Sequence, residues 1–334
     1  MEIRMSKPKI FVTRAIPEKG FELIKEFCDV DLWPHELPPH RNELLAHVHG
    51  MDGLLCLLAD QIDGEVMDEA GPQLKVISNH AVGFDNIDVN AATARKIPVG
   101  NTPDVLTDAT ADFAFALMMA VARRIPEAER YVHNGKWKTW GPMTLLGVDI
   151  KGATLGLIGF GRIGKTMARR ALGFDMRVIY YDRREKKPSR DLQATPVAFE
   201  TLLEESDFIS LHTPLTPDTH HLIDSEALSK MKPNAIVINT ARGPVIDPDA
   251  LYEALKERRI FGAGLDVTEP EPLPMDSPLF TLDNIVIVPH IASASKTSRD
   301  QMSWMAAQNL IAGLKGERLP NCVNPQVYSS YPTK

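Results

Sequence analysis

Short apolar runs alternate with amphipathic stretches from the start of the chain. Residues 9–13 (KIFVT), 53–58 (GLLCLL) and 74–82 (LKVISNHAV) are nearly continuous hydrophobic segments, and FELIKEF and NELLAHV between them carry apolar residues at helical spacing. Strands buried on both faces lose the in-out alternation of a half-exposed sheet, so this texture predicts a parallel sheet covered by helices on both sides. After Pro103 the pattern changes. Residues 105–134 are rich in Ala, Leu and Met and predict one long helix leaving the first unit, with Asp104 or Thr107 as its cap. A second alternating series follows, with strands expected at 153–158, 177–181, 207–213, 235–240, 262–267 and 285–289. Residues 296–314 return to helical spacing and lead back to the first unit, and the chain from Val327 onward reads as a loosely held tail. The expected class is α/β: two doubly wound parallel-sheet domains, the second inserted into the first. The boundaries expected are 1–103 with 293–334 for one domain and 104–292 for the other.

A chain of 334 residues exceeds the comfortable size of one core, and a 44% hydrophobic content supplies two. The net charge of −7 comes without any basic block that would neutralise phosphates, so nucleic acid is not an expected partner. Cys28, Cys56 and Cys322 are widely spaced and form no C-x-x-C pair, which fits a reducing compartment and gives no sign of a disulfide framework or a metal site. The N-terminal apolar run is too short for a signal peptide, and no run approaches 18 apolar residues. A cytoplasmic protein without a membrane segment is expected.

The chemistry begins at GLIGFGRIG. Gly159, Gly161 and Gly164 have the dinucleotide-binding spacing, after an apolar run and at the start of a helical segment. The first glycine permits a tight turn, the second lets backbone approach a pyrophosphate, and the third lets helix and strand pack closely. The phosphates would lie at a helix N-terminus, where free N–H groups favour an anion. The next strand, RVIYYD, ends in Asp182, an acid placed to accept hydrogen bonds from the adenosine ribose of NAD and to repel the extra phosphate of NADP. Arg183 and Arg184 beside it keep NADP open, although a solvated turn explains them as well.

Three later strand ends carry polar groups. AIVINTARG ends in Arg242, GLDVTEPEP carries Asp266 and Glu271, and IVIVPHIAS carries His290. A nicotinamide needs a substrate that exchanges hydride at one carbon and a proton at the attached oxygen. His290 is the natural acid or base, Glu271 an orienting carboxylate, and Arg242 a bidentate grip for a substrate carboxylate. Each also has an ordinary reading: a packed histidine, a surface glutamate in a Pro-rich loop, a structural ion pair.

These motifs, with NHAVGFDNID, GNTPDVLTDATADFA and NGKWKTW, resemble the D-isomer-specific 2-hydroxyacid dehydrogenases over nearly the whole chain, and within them the glyoxylate/hydroxypyruvate reductases. The resemblance implies a Rossmann nucleotide domain inserted into a flavodoxin-like substrate domain, and NAD(P)H-dependent reduction of a 2-oxo acid to the D-2-hydroxy acid. It carries the catalytic set onto Arg242, Glu271 and His290, and binding of the substrate carboxylate onto the backbone of Val82 and Gly83, with Leu58 near the substrate. Thr110, Arg162, Ile163, Thr213, Pro214, Thr240, Ala241, Asp266, His290 and Ala292 would line the cofactor with the glycine loop. Trp140, matching a tryptophan that reaches the partner subunit's site, implies a homodimer; as a bare sequence feature it reads equally as a core aromatic. Two departures stand out. Ala292 occupies a position usually held by glycine, and Asp182 is present where NADP-preferring relatives lack an acid, so NADH is favoured with NADPH possible. The alternatives are an NADH-sensing corepressor-like binding protein, which shares the fold, and a phosphite or other dehydrogenase of the same superfamily.

Overall fold

A computed structural model describes residues 7–184 and 187–329. The chain divides into two compact units, residues 1–106 with 295–334, and residues 107–294.

In the first unit, strands β1 (Lys9–Val12), β2 (Asp29–Leu32), β3 (Gly53–Cys56), β4 (Val76–Asn79) and β5 (Val99–Gly100) form a parallel sheet in the order β2-β1-β3-β4-β5. The helices between them are α1 (Glu18–Phe27), α2 (Arg41–Val48), α3 (Gly64–Ala70) and α4 (Val89–Ala94). β3 and β4 are buried at every position, which is why their sequences run apolar without alternation. β2 (DVDL) was not among the expected strands. It lies at the sheet edge and is only half-buried, so it lacks the apolar run that marks a central strand. Asp63 and Asp88 fix the starts of α3 and α4 by accepting from the N–H groups of Val66 and Ala91.

The second unit opens with α5 (Thr107–Ala122) and α6 (Ile125–His133). The single long helix expected over 105–134 is therefore two. Arg124 takes a left-handed conformation (φ 53°) and Pro126, which has no N–H to donate, sits in the first turn of α6. The Ala122 carbonyl, left without a helical partner, accepts instead from Val148 N–H at 3.0 Å. Thr107 is the first residue of α5, and Asp104 precedes it in a left-handed conformation (φ 72°).

There follow β6 (Thr154–Ile158), α7 (Arg162–Ala171), β7 (Arg177–Tyr181), β8 (Ala194–Pro196), α8 (Phe199–Glu205), β9 (Phe208–Leu211), α9 (Ser225–Ser229), β10 (Ile236–Asn239), α10 (Pro248–Lys256), β11 (Gly262–Leu265) and β12 (Ile285–Ile287). The seven strands are parallel in the order β12-β11-β10-β9-β6-β7-β8. All their carboxyl ends thus share one edge. The chain runs outward from β6 through β7 to β8 and then returns to place β9 on the other side of β6, so the order reverses between β6 and β9. In open parallel sheets, ligands gather outside the carboxyl ends at such a reversal. One face of the sheet is covered by α5 and α7 through Phe115, Met118 and Met167, the other by α8 and α10 through Leu202, Leu251 and Leu255.

Helix α11 (Lys296–Leu314) returns to the first unit and packs on α1, β3 and β4. The expected loose tail does not begin at Val327. Val327 is buried, and the Tyr328 hydroxyl accepts from Leu319 N–H at 3.0 Å, so apolar burial and a hydrogen bond hold this turn. The rest of the expected tail, residues 330–334, lies outside the described residues. Among the described residues no helix is long and apolar enough to cross a membrane.

Candidate active site

At the β6–β9 reversal, backbone sterics shape the cradle. Gly159 has φ 94°, and a Cβ there would lie 2.6 Å from the His212 carbonyl oxygen, so the loop after β6 presses directly on the segment after β9. A Cβ on Gly164 would come within 2.2 Å of the Gly159 carbonyl oxygen, whereas one on Gly161 would meet nothing within 4 Å. The first and third glycines are demanded by close packing, and the second faces open space. Gly161 is also the N-cap of α7 and offers no side-chain acceptor, so the first N–H groups of that helix remain for an anion. Arg162, exposed, and Ile163, half-buried, form its first turn.

Asp182 ties the cradle to the end of β7. Its Oδ2 accepts from Phe160 N–H and its Oδ1 from Arg184 N–H, both at 2.8 Å. Arg183 is ion-paired with Asp218, and Arg184 is exposed. Further along the edge, Thr213 and Pro214 follow β9, and Thr240 and Ala241 follow β10. Thr240 Oγ1 is buried without a hydrogen-bond partner among the described residues, as expected of a group that meets a ligand. Thr110 is buried on α5. The close-packed glycines, an uncapped helix start, a carboxylate at the end of β7 and an orphaned hydroxyl fit a dinucleotide.

The candidate catalytic residues follow β10, β11 and β12, which are adjacent in the sheet. Asn239 shapes the turn after β10: its Oδ1 accepts from Ala241 N–H at 3.0 Å and its Nδ2 donates to the Arg242 carbonyl at 2.9 Å. The Arg242 guanidinium donates through Nη1 to the Ala241 carbonyl at 2.8 Å. Gly243 follows because nothing larger fits, since its Cβ would fall 1.9 Å from the Thr268 carbonyl oxygen. That contact presses the Arg242 turn against the loop carrying Glu271. At the end of β12, His290 adopts a left-handed conformation (φ 54°), and its N–H donates to the Asp266 carbonyl at 2.9 Å. Its Nδ1 lies 2.6 Å from Glu271 Oε1. Burial alone would raise the Glu271 pKa. The hydrogen bond and charge of His290, the Thr268 N–H and the Arg242 charge outweigh it and hold the carboxyl below its usual range. Asp266 is the opposite case. Burial dominates and raises it, although its carboxylate accepts from Ile291 N–H at 2.6 Å and Ala292 N–H at 2.9 Å. Ala292 is itself buried, with its backbone committed to Asp266.

Arg242, Glu271 and His290, picked from separate motifs, therefore share one sheet edge, with Glu271 in contact with His290 and close enough to Arg242 to feel its charge. Leu58, Val82 and Gly83 belong to the first unit, where they follow the adjacent strands β3 and β4. The loops there are held by a buried polar network absent from the sequence reading. Asn86 Nδ2 donates to the carbonyls of Leu57 (3.0 Å) and Asp60 (3.1 Å), and Asn79 Nδ2 donates to Asn86 Oδ1 (3.0 Å) and the Gly83 carbonyl (2.9 Å). The available signal was the cluster of Asn and Asp at the ends of apolar runs. His80, just before this loop, is buried with Nε2 unpartnered among the described residues, and burial pushes its pKa down to about 4. Trp140 is 80% exposed, which removes the core-aromatic reading. Trp137, Met143 and Leu146 are exposed beside it in sequence.

The family model for the D-isomer specific 2-hydroxyacid dehydrogenase NAD-binding domain matches residues 115–292. The chain is 54% identical over 328 residues to a glyoxylate reductase of Korarchaeum cryptofilum, covering 98% of each. It is similar to the crystal structure of the TT0316 protein of Thermus thermophilus, with a TM-score of 0.89, 49% identity, and coverage of 94% of this chain and 99% of that one. It also resembles an NADPH-dependent glyoxylate/hydroxypyruvate reductase of Sinorhizobium meliloti solved with NADP and malonate, with a TM-score of 0.83, 32% identity, and coverage of 95% and 97%.

Proposed function

The chain belongs to the D-isomer-specific 2-hydroxyacid dehydrogenases, and from that premise we propose that it reduces a small 2-oxo acid, glyoxylate or hydroxypyruvate, to the D-2-hydroxy acid with a reduced nicotinamide cofactor. The observation carrying this reading is the 2.6 Å contact of His290 Nδ1 with Glu271 Oε1, at the same sheet edge as Arg242 and the glycine loop.

A nicotinamide bound along that edge supplies the hydride for the keto carbon. His290 supplies the proton. With Nδ1 donating to Glu271, Nε2 is the nitrogen that holds a proton and passes it to the substrate oxygen. Glu271, ionised at neutral pH, keeps Nδ1 protonated and the ring oriented. Arg242 offers a planar fork that matches a carboxylate and stabilises negative charge as it develops on the keto oxygen, an effect of about 3–4 kcal/mol for a preorganised donor. In the same proposal the N–H groups of Val82 and Gly83 take the substrate carboxylate, Leu58 lies beside the substrate, and Trp140 is contributed by the partner in a homodimer.

NADH is the favoured cofactor. Asp182 accepts from the backbone N–H groups of Phe160 and Arg184 and so stands fixed at the end of β7, where an acid meets ribose hydroxyls and disfavours a 2′-phosphate. Arg183, paired with Asp218, is drawn away from offsetting it. NADPH is the slower alternative. The test is consumption of NADH and NADPH with glyoxylate and hydroxypyruvate, for the wild type and Asp182→Ala. Turnover with either oxo acid is expected, and a preference for NADH that moves toward NADPH by about tenfold in the variant, or 1.4 kcal/mol. No turnover with either acid sinks the function, and an unchanged cofactor ratio sinks the Asp182 contact alone.

A further inference from the structure

A second group brings two imidazoles from the loop between β9 and α9 against a carboxylate from the loop after β11, outside the residues used above. His221 Nε2 is 2.8 Å from Glu269 Oε2, and His220 Nε2 is 3.8 Å from Glu269 Oε1. The two rings stack with centroids 4.0 Å apart and planes inclined at 27°. The three ligand atoms lie within 4.8 Å of one another, and no other group of three His, Cys, Asp or Glu side chains is so arranged among the described residues. We propose that His220, His221 and Glu269 form a site for a divalent transition-metal ion of the zinc type.

The argument is geometric and chemical. Nitrogen and oxygen ligands about 2.0–2.1 Å from a tetrahedral ion sit about 3.3–3.4 Å from one another. The distances of 2.8 Å to Oε2 and 3.8 Å to Oε1 of Glu269 fall on either side of that edge, and with all three ligand atoms within 4.8 Å of one another, movements of at most about 1.5 Å close the set. The rings must also splay from their stack, and with His220 and His221 side chains 52% and 34% exposed they have room to turn. Two imidazoles with one carboxylate suit zinc, cobalt, nickel or copper, with a fourth position left for water. Magnesium and calcium prefer an all-oxygen shell and are disfavoured.

The backbone presents the ligands in place. His221 is held in a left-handed conformation (φ 50°), with its N–H donating to the Pro244 carbonyl at 2.8 Å, and Ile223 N–H donates to the Val245 carbonyl at 3.0 Å. The histidine loop is thereby stitched to the turn that follows Arg242. Glu269 stands two residues before Glu271, on the loop that Gly243 presses against. An ion on these ligands joins the histidine loop to the loop bearing Glu269, which assigns it a structural part: it orders the segment that carries Glu271 from outside the reactive group.

The test is calorimetric titration of the metal-free full chain with Zn²⁺, and with Co²⁺ for its absorption spectrum, alongside His220→Ala, His221→Asn and Glu269→Gln. Asn tolerates the left-handed backbone at 221, and circular dichroism checks that each variant is folded. One ion per chain is expected, with a tetrahedral cobalt spectrum, affinity at least about tenfold weaker in every variant, and a zinc-induced rise in Tm that the variants lose. No saturable binding overturns the proposal. So does binding that survives all three substitutions but falls in His290→Gln, because the ion then sits on the reactive pair.

Discussion

Two histidine–glutamate pairs share one short loop. Glu271 meets His290 at 2.6 Å, and Glu269, two residues earlier, meets His221 at 2.8 Å. The contacts are nearly the same, but the surroundings are not. Glu271 also faces the Thr268 N–H and the Arg242 charge, and its carboxyl is held below the usual range despite burial. His290 follows β12, beside Asp266, which follows the adjacent strand β11. Glu269 instead stands between two imidazoles, on a loop fastened to a neighbouring turn. An imidazole–carboxylate hydrogen bond therefore does not define a reactive site. What sets the Glu271–His290 pair apart is a third group of opposite charge, Arg242, and its place at a sheet edge of the kind that collects ligands.

The sharpest way to break this distinction is to remove each histidine. His290→Ala should lower kcat by about 10²–10⁴, the range for loss of a positioned general acid, whereas His221→Asn should cost a few-fold. Steady-state kinetics on the folded variants decide it, and comparable losses erase the distinction. Glu271→Gln comes next, with a fall of about tenfold to hundredfold, because glutamine keeps the size but neither the charge nor the strong acceptor at Nδ1. It also has a pH signature. The folded Glu271 pKa is lowered from an ordinary value of 4.5, so the native state binds fewer protons than the unfolded state. Its stabilisation is complete above that value and is lost as pH falls through the folded pKa. Chemical denaturation at pH 7 and at about pH 3 should show the wild type losing more stability than Glu271→Gln. Equal losses mean the ion pair does not hold in solution.

Gly243→Ala sharpens the comparison from the backbone, since it disturbs the loop that both carboxylates share. The added methyl would sit 1.9 Å from the Thr268 carbonyl oxygen, and no side-chain rotation relieves a backbone clash. Overpacking of this kind costs about 1–3 kcal/mol. A lower Tm and an activity loss of about tenfold are expected together. A variant with unchanged Tm and kcat shows that the two segments are not in contact.

Much of this was legible because its causes are local. The spacing of Gly159, Gly161 and Gly164 records steric demands within a few residues, and the ends of β10, β11 and β12 follow from counting apolar strands. The break at Arg124 was missed because an arginine in a left-handed conformation has no sequence mark, although Pro126 was a usable one. β2, β5 and β8 escaped because these short edge strands carry no continuous apolar run, unlike the edge strand β12. The tie of Asn86 to Leu57 and Asp60, like the grouping of His220 and His221 with Glu269, depends on residues distant in sequence. No short motif encodes either, and only the fold brings them together.

The smallest effect expected is that of Glu269→Gln in the metal-free protein. Glu269 is about one-third exposed, and half-exposed ion pairs of this kind contribute about 0–1 kcal/mol. In a unit of this size that is a fall in Tm of at most about 2–4 °C. The loop remains pinned by the Gly243–Thr268 contact and by the Thr268 hydroxyl, which donates to the Pro270 carbonyl at 2.8 Å, so Glu271 keeps its place and kcat should drop no more than about threefold. Kinetics and thermal melts after chelation measure both quantities. A loss approaching that of Glu271→Gln would mean that the 269 carboxylate acts within the reactive group, and the two pairs would then have to be treated as one site.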